Sequence, residues 1–172
     1  MPAAWTTSPD PAPEAARLPG VYLHPGQLWV SEDPCAVTTI LGSCVAVGLW
    51  DPSAEVGGLC HFLLPQWSGS GTASARFGNV AVERLAEGVC AKGARRERLL
   101  AKIFGGACVI AALRGGIHLG QRNVELAREL VANAGIPVVA EDALGTRGRK
   151  LIFHTHDGAA WVRLLAGDPS WK

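Results

Sequence analysis

The chain has 172 residues, of which 48% are hydrophobic and 18% are charged, and its formal net charge is +1. This length fits one domain with a buried core, and the composition excludes an intrinsically disordered chain. The near-neutral charge argues against nucleic acid or an anionic membrane as the main partner. Because the sequence shows neither a secretory signal nor a membrane-spanning apolar stretch, we expect a cytoplasmic protein whose five cysteines are reduced.

The first 20 residues are rich in Pro, and they are predicted to form a disordered tail outside the fold. Residues 21–172 are predicted to form a single domain. In this domain short apolar runs are interrupted by Gly and Pro, a pattern typical of strands that are joined by tight turns. Its first half contains four predicted strands, at residues 27–30, 35–41, 44–50 and 57–64.

Two helices are predicted where apolar residues recur at helical spacing. The first covers residues 80–90, and the second covers residues 123–134, with Asn123 as its N-cap and Gly135 after its C-terminal end. Four more strands are predicted at residues 99–104, 136–140, 151–154 and 161–165. Short strands combined with two helices predict an α/β fold, a single-domain sandwich of mixed or antiparallel sheet with flanking helices.

Cys44 is the first candidate for chemistry, because it directly follows Gly42 and Ser43 at a turn between two predicted strands. A thiol at such a turn can be exposed, with backbone N–H groups aimed at the group that it attacks. It becomes a strong nucleophile when a neighbouring His or amide dipoles lower its pKa. The alternative is a small buried hydrophobic residue, which is the usual role of cysteine and the role expected of the other four.

His61 lies in the predicted strand at residues 57–64, 17 residues after Cys44. From a neighbouring strand it would be a base for the thiol, and the alternative is an ordinary core histidine. Thr38 and Thr39 precede the turn, and a hydroxyl there would orient the imidazole as the third member of a triad does. Each threonine is also compatible with a purely structural role in a strand.

His154 and His156 are two imidazoles on one predicted strand face, and a metal site there would be completed by His118 or Cys60. We expect no metal there, because the sequence has no second ligand pair at recognisable spacing and His156-Asp157-Gly158 fits a turn. The sequence also lacks nucleotide-binding and nucleophile-elbow motifs, so we expect no cofactor.

Several stretches around these residues resemble the CheD family of chemoreceptor glutamine deamidases. The first two are LGSCV at residues 41–45 and GLCHFLLP at residues 58–65. Residues 101–107 (AKIFGGA) and 120–124 (GQRNV) are similar to further signature stretches of that family and follow in the same order. The resemblance covers roughly residues 21–165, which is nearly the whole chain beyond the tail.

The resemblance implies a cysteine-dependent hydrolase that converts specific glutamine side chains of methyl-accepting chemotaxis receptors to glutamate and releases ammonia. By position, it implies that Cys44 is the nucleophile, that His61 is the base and that Thr38 is the orienting hydroxyl. Backbone N–H groups near Gly42 and Ser43 would then support the oxyanion. The family fold that it implies is an α/β sandwich related to bacterial toxin deamidases.

The family resemblance also bears on partners and alternatives. Some CheD proteins bind the phosphatase CheC, which makes CheC a candidate partner beside the receptors, while neither nucleic-acid binding nor membrane insertion is expected. The main alternative is a non-catalytic adaptor that docks on receptor or CheC helices, and the joint presence of Cys44, His61 and Thr38 argues against it. A thiol-redox protein is a third possibility, against which the absence of a C-x-x-C motif argues.

Overall fold

The computed structural model describes residues 17–110, 112 and 114–166. Within this part of the chain there are nine strands, two α-helices and a short 3-10 helix at Arg96–Arg98. The strands are β1 Gly20–Tyr22, β2 Leu28–Ser31, β3 Ala36–Leu41, β4 Val45–Asp51, β5 Val56–Phe62, β6 Leu100–Gly105, β7 Val138–Ala143, β8 Arg149–His154 and β9 Ala160–Leu164. The helices are α1 Gly78–Ala91 and α2 Leu119–Asn133, and neither is long and apolar enough to cross a membrane.

The strands form two mixed sheets. One has four strands in the order β1-β3-β8-β9, and the other has five in the order β2-β5-β4-β6-β7. Neighbouring strands are antiparallel except for β1 with β3 and β6 with β7, which are parallel. The predicted α/β class with a mixed sheet and two helices is therefore confirmed, with the strands divided between two sheets.

The five-stranded sheet is the middle layer of the molecule, and for this reason every residue of β4 and β5 is buried. On one face, Val45, Val47 and Leu49 belong to the core that α1 and α2 cover. On the other face, Ala46 and Trp50 belong to a second core, which lies against the four-stranded sheet. A strand that is covered on both faces reads as a continuous apolar run, which is why the sequence indicated β4 clearly.

Each of the eight predicted strands overlaps one of β2–β9, whereas β1 was not predicted because it has only three residues. The predicted tail ends at Gly20, which is the first residue of β1 and pairs with Ala36. Residues 1–16 of that tail lie outside the described residues, and its disorder stays a prediction.

The start of α2 differs from the prediction. The helix begins at Leu119, and the side chain of His118 caps it by accepting a hydrogen bond from the N–H of Gln121 at 3.2 Å. Asn123 is therefore the fifth residue of the helix and is fully buried, so its prediction as the N-cap is wrong. Residue preferences favoured Asn over His as a cap, but an imidazole nitrogen also accepts the required hydrogen bond.

Candidate active site

Residues 42–44 form the turn that joins β3 of the four-stranded sheet to β4 of the five-stranded sheet. The N–H of Gly106 donates to the carbonyl of Cys44 at 2.8 Å and holds the turn against the end of β6. A side chain on the preceding residue, Gly105, would bring its Cβ within 2.3 Å of the same carbonyl, so only glycine permits this approach. Local backbone packing thus fixes the position of Cys44.

Cys44 and His61 face the same side of the five-stranded sheet. In the register of β4 and β5, His61 lies directly opposite Ala46, and Cys44 precedes Ala46 by two residues. Since alternate residues of a strand share a face, Cys44 and His61 are diagonal neighbours on the face that meets the four-stranded sheet. Cys44 packs against the core between the two sheets and is only partly exposed, while His61 is 1% exposed.

The threonine that contacts His61 is Thr39. Its Oγ1 lies 2.8 Å from Nδ1 of the imidazole, and both side chains are buried. Thr38 is half-buried on the opposite face of β3, which contradicts its prediction as the orienting hydroxyl. The prediction came from the family resemblance carried over by position, and a shift of one residue in a strand moves the side chain to the other face.

The hydrogen bonds of Thr39 determine which nitrogen of His61 carries the proton. The Thr39 hydroxyl has one proton, and it donates that proton to the carbonyl of Leu23 at 2.8 Å. It can then only accept from the imidazole, so Nδ1 carries the hydrogen and Nε2 carries the lone pair. Nε2 is buried and has no hydrogen-bond partner among the described residues. A free acceptor nitrogen is what a general base for a neighbouring thiol requires.

Burial sets the protonation states of the pair. It lowers the pKa of His61 to about 4, although the carbonyl of Leu23 acts in the opposite direction and nearby His24 adds to the lowering. Burial also raises the pKa of the Cys44 thiol, partly offset by its own backbone N–H. At neutral pH these shifts favour a thiol on Cys44 and a neutral imidazole on His61.

Asn123 is the site residue that sequence reasoning missed. Its Nδ2 donates to the carbonyl of Ser43 at 3.1 Å and to the carbonyl of Leu63 at 2.9 Å, so it touches the backbone beside both Cys44 and His61. A signal was present in the sequence, because Asn123 precedes Ala127 and Val131 at four-residue spacing on the apolar side of α2. A polar residue on an apolar helix face is unusual enough to indicate a specific partner.

The histidines considered for a metal lie apart from the thiol. One ring nitrogen each of His154 and His156 and a carboxylate oxygen of Asp157 lie within 4.8 Å of one another, so among the described residues these three groups are the ones that could hold a cation. Of the further ligands considered, His118 caps α2, and Cys60 is buried in the core beneath the helices. The expectation of no bound metal stays a prediction.

Comparison with known proteins decides the family. The family model described as "CheD chemotactic sensory transduction" matches residues 63–164. The "Probable chemoreceptor glutamine deamidase CheD 1" of Anaeromyxobacter dehalogenans (strain 2CP-C) is 56% identical over 160 residues, which cover 90% of this chain and 93% of that protein. The chain belongs to the CheD family. The resemblance that the sequence motifs indicated is thereby confirmed.

Two other CheD relatives agree. The "Probable chemoreceptor glutamine deamidase CheD" of Trichlorobacter lovleyi is 47% identical over 137 residues, 80% of this chain and 85% of its own. The protein of the same name from Sulfurimonas denitrificans is 38% identical over 145 residues, 84% of this chain and 93% of its own. The CheD family model begins after Cys44 and His61, but an alignment over 90% of the chain necessarily includes both residues.

Solved structures give a weaker likeness. The "hypothetical protein YfiH" of Bacillus licheniformis has a TM-score of 0.45 and 15% identity, and the match covers 67% of this chain and 49% of that protein. Protein NMB0706 of Neisseria meningitidis has the same TM-score and identity, with 77% and 64% covered. Similarities this low carry no argument for CheD chemistry, and the relation to toxin deamidases stays a prediction.

Proposed function

We propose that this CheD-family chain deamidates glutamine side chains of chemoreceptors, with Cys44 as the nucleophile and His61 as the base. Its relatives carry the name of probable chemoreceptor glutamine deamidases. The observation that carries the proposal is the imidazole of His61, whose Nδ1 is bound to Thr39 while its Nε2 is free. An acceptor nitrogen on the same face of the sheet as a thiol supports nucleophilic attack on an amide, as in Cys–His hydrolases.

In the first step, the sulfur of Cys44 attacks the carboxamide carbon of the glutamine, and the thiol proton passes to Nε2 of His61. The carbonyl π electrons move to oxygen, which becomes an oxyanion. The backbone N–H of Cys44, which lowers the pKa of its own thiol, would donate to this new charge. One such donor typically stabilises the transition state by ~3 kcal/mol.

In the second step, the imidazolium of His61 gives its proton to the amide nitrogen, so that the C–N bond breaks and ammonia leaves a thioester on Cys44. Water then attacks the thioester, and His61 accepts the water proton and returns it to the departing sulfur. The products are a glutamate side chain and the restored thiol. Throughout, Thr39 accepts from the Nδ1 hydrogen and keeps the ring in one orientation.

The low pKa of His61, about 4, shapes this chemistry. A buried imidazole is a weak base but, once protonated, a strong acid, and a strong acid favours protonation of a poor amide leaving group. The attack is correspondingly harder, because it creates an imidazolium in a desolvated place. Stabilisation of the oxyanion by correctly directed N–H donors therefore has to offset this cost.

The proposal extends to the setting of the protein. Its substrate would be the cytoplasmic part of a chemoreceptor, which places this chain in the cytoplasm, and CheC is its candidate regulatory partner. Family resemblance supports both points. The adaptor alternative requires the same docking on receptor helices without the chemistry.

The deciding experiment incubates the full chain with a purified cytoplasmic receptor fragment and maps Gln-to-Glu conversion by peptide mass analysis. We expect conversion of specific glutamines with equimolar ammonia, and none with Cys44→Ser. Hydrolysis of free glutamine while the receptor stays unchanged would instead indicate a small-molecule amidase. Stable receptor binding without conversion would support the adaptor.

A further inference from the structure

The candidate site lies where two paired strands separate. Val45 and Phe62 are the last registered pair of β4 and β5 at this end of the sheet. Beyond that pair, the N–H of Leu63 donates to Arg76, and the carbonyl of Cys44 is bound to the end of β6. The ladder between β4 and β5 therefore stops just before it reaches the nucleophile.

Asn123 spans this gap with a single side-chain amide. Its Nδ2 donates to the carbonyl of Ser43, one residue before Cys44, and to the carbonyl of Leu63, two residues after His61. Both carbonyls lie outside the strands, since β4 begins at Val45 and β5 ends at Phe62. One group on α2 thus connects the segment that carries the nucleophile to the segment that carries the base.

The bond to Ser43 also fixes the direction of a possible oxyanion donor. The carbonyl of Ser43 and the N–H of Cys44 belong to the same peptide group, and this peptide is trans. In a trans peptide the C=O and the N–H point in opposite directions. Holding the carbonyl toward Asn123 therefore turns the Cys44 N–H away from Asn123, and this N–H lowers the pKa of the thiol of the same residue.

We propose that Asn123 is a positioning residue for the deamidation, which holds Cys44 and His61 in register and aims the Cys44 N–H at the oxyanion. This inference rests on the proposed function and assigns Asn123 no contact with the substrate. Its role is to set the geometry through the backbone of Ser43 and Leu63. A donation to the Ser43 carbonyl also polarises that peptide and strengthens its N–H as a donor.

A role in packing alone does not account for this amide. Asn123 is 0% exposed, and its Oδ1 is buried without a hydrogen-bond partner among the described residues. An unpartnered buried acceptor costs stability, which an apolar side chain of similar size would avoid. What the amide provides in return is the pair of hydrogen bonds to the two segments of the site.

The test compares Asn123→Leu, which keeps the branching and the number of side-chain heavy atoms and removes both donors, with Asn123→Ala and with Val131→Ala as a control. Val131 is equally buried on α2, but it lies eight residues further along the helix and belongs to the core that the two helices cover. For both Asn123 variants we expect kcat for receptor deamidation to fall by about 10²-fold with KM nearly unchanged, because a misdirected oxyanion donor weakens only the transition state. The control should keep its kcat.

A second measurement needs no receptor. The rate of iodoacetamide labelling of Cys44, followed against pH, gives the pKa of the thiol. Since the directed N–H favours the thiolate, this pKa should rise in both Asn123 variants and stay unchanged in Val131→Ala. Circular dichroism at the assay temperature identifies which variants are folded.

The outcomes separate the two proposals. If the wild type deamidates no receptor, the proposed function is wrong. The labelling profiles still test whether Asn123 affects the thiol pKa of Cys44. If both Asn123 variants match Val131→Ala in kcat and in the thiol pKa, the positioning role is wrong. Should Asn123→Ala fail to fold, Asn123→Leu carries the same comparison with less loss of packing.

Discussion

Buried polar groups lie at both ends of β4, but those at one end are fully hydrogen-bonded and those at the other end are partly without hydrogen-bond partners. At its C-terminal end, Asp51 is 0% exposed, and both of its oxygens are fully used. Oδ1 accepts from the N–H groups of Ser53 and Ala54 at 2.9 and 3.2 Å, and Oδ2 accepts from Arg95 N–H and Arg98 Nε, both at 2.9 Å. This carboxylate fastens the loop after β4 and the segment before β6.

At the N-terminal end, Nε2 of His61 and Oδ1 of Asn123 are buried without partners among the described residues. Unpaired buried groups cost stability and are uncommon in folded proteins unless they have another use. The comparison teaches that one end of the strand serves stability, while the other gives up stability to leave Nε2 of His61 free and to hold the Asn123 amide against the two segments of the site. Substitutions at the two ends should therefore affect different measurements.

The largest effect is expected from Cys44→Ser. A serine hydroxyl ionises far less readily than a thiol beside a weak base, so ammonia release should fall by about 10⁴-fold while the circular dichroism spectrum is kept. The control is Cys60→Ser, because burial raises the pKa of Cys60 to about 12 and keeps that thiol inert. Full activity of the Cys44 variant would remove it as the nucleophile.

Next in size is the difference between two adjacent threonines. Thr39→Val removes the acceptor for Nδ1 of His61 and frees the ring to adopt the wrong tautomer, so kcat should fall by about 10²-fold. Thr38→Val, on the opposite face of β3, is the matched control and should stay within about twofold of wild type, as expected for a surface change. Steady-state ammonia release measures both. A larger loss in Thr38→Val would restore the prediction made from the sequence.

At the other end of β4, Asp51→Asn should change stability and leave catalysis alone. Breaking the pair with Arg98 and the accompanying hydrogen bonds should lower the free energy of unfolding by ~3 kcal/mol, measured by urea denaturation. The kcat of the folded protein should be unchanged. A loss of kcat without a loss of stability would mean that the two ends are coupled.

The same carboxylate gives a pH dependence with a defined sign. Burial alone would raise the pKa of Asp51, but hydrogen bonds from Arg95, Arg98, Ser53 and Ala54 outweigh it and hold the pKa below its usual value. Its contribution is therefore present above the unfolded pKa of about 3.9 and is lost as the pH falls through the lower folded value. Below about pH 4 the melting temperature of wild type should fall toward that of Asp51→Asn.

The smallest expected effect is on the acid side of the pH–rate profile. Because burial lowers the pKa of His61 to about 4, the base remains unprotonated well below neutral pH. Between pH 7 and pH 5.5, kcat/KM should change less than about twofold, whereas an ordinary histidine of pKa about 6.5 would lose about 90% of its base form. An acid limb centred near 6.5 would show that the imidazole is solvated in the working enzyme.

The sequence predicted correctly those features of the molecule that depend on the local pattern of residues. The apolar runs of β4 and β5 predicted strands, and the family resemblance indicated Cys44 and His61 together as candidates. The choice between Thr38 and Thr39 required knowing which face of β3 meets the other sheet, and no local pattern states that. Asn123 was missed for a related reason, since its partner Ser43 is 80 residues away in the sequence.

The bond between Thr39 and His61 joins two different sheets, since β3 belongs to one layer and β5 to the next. The site geometry therefore depends on the packing of the two sheets against each other. A small separation of the sheets would break this hydrogen bond while every strand and helix is still formed. On heating, the protein should lose its catalytic activity before it unfolds, at a temperature where its far-ultraviolet circular dichroism spectrum is still native.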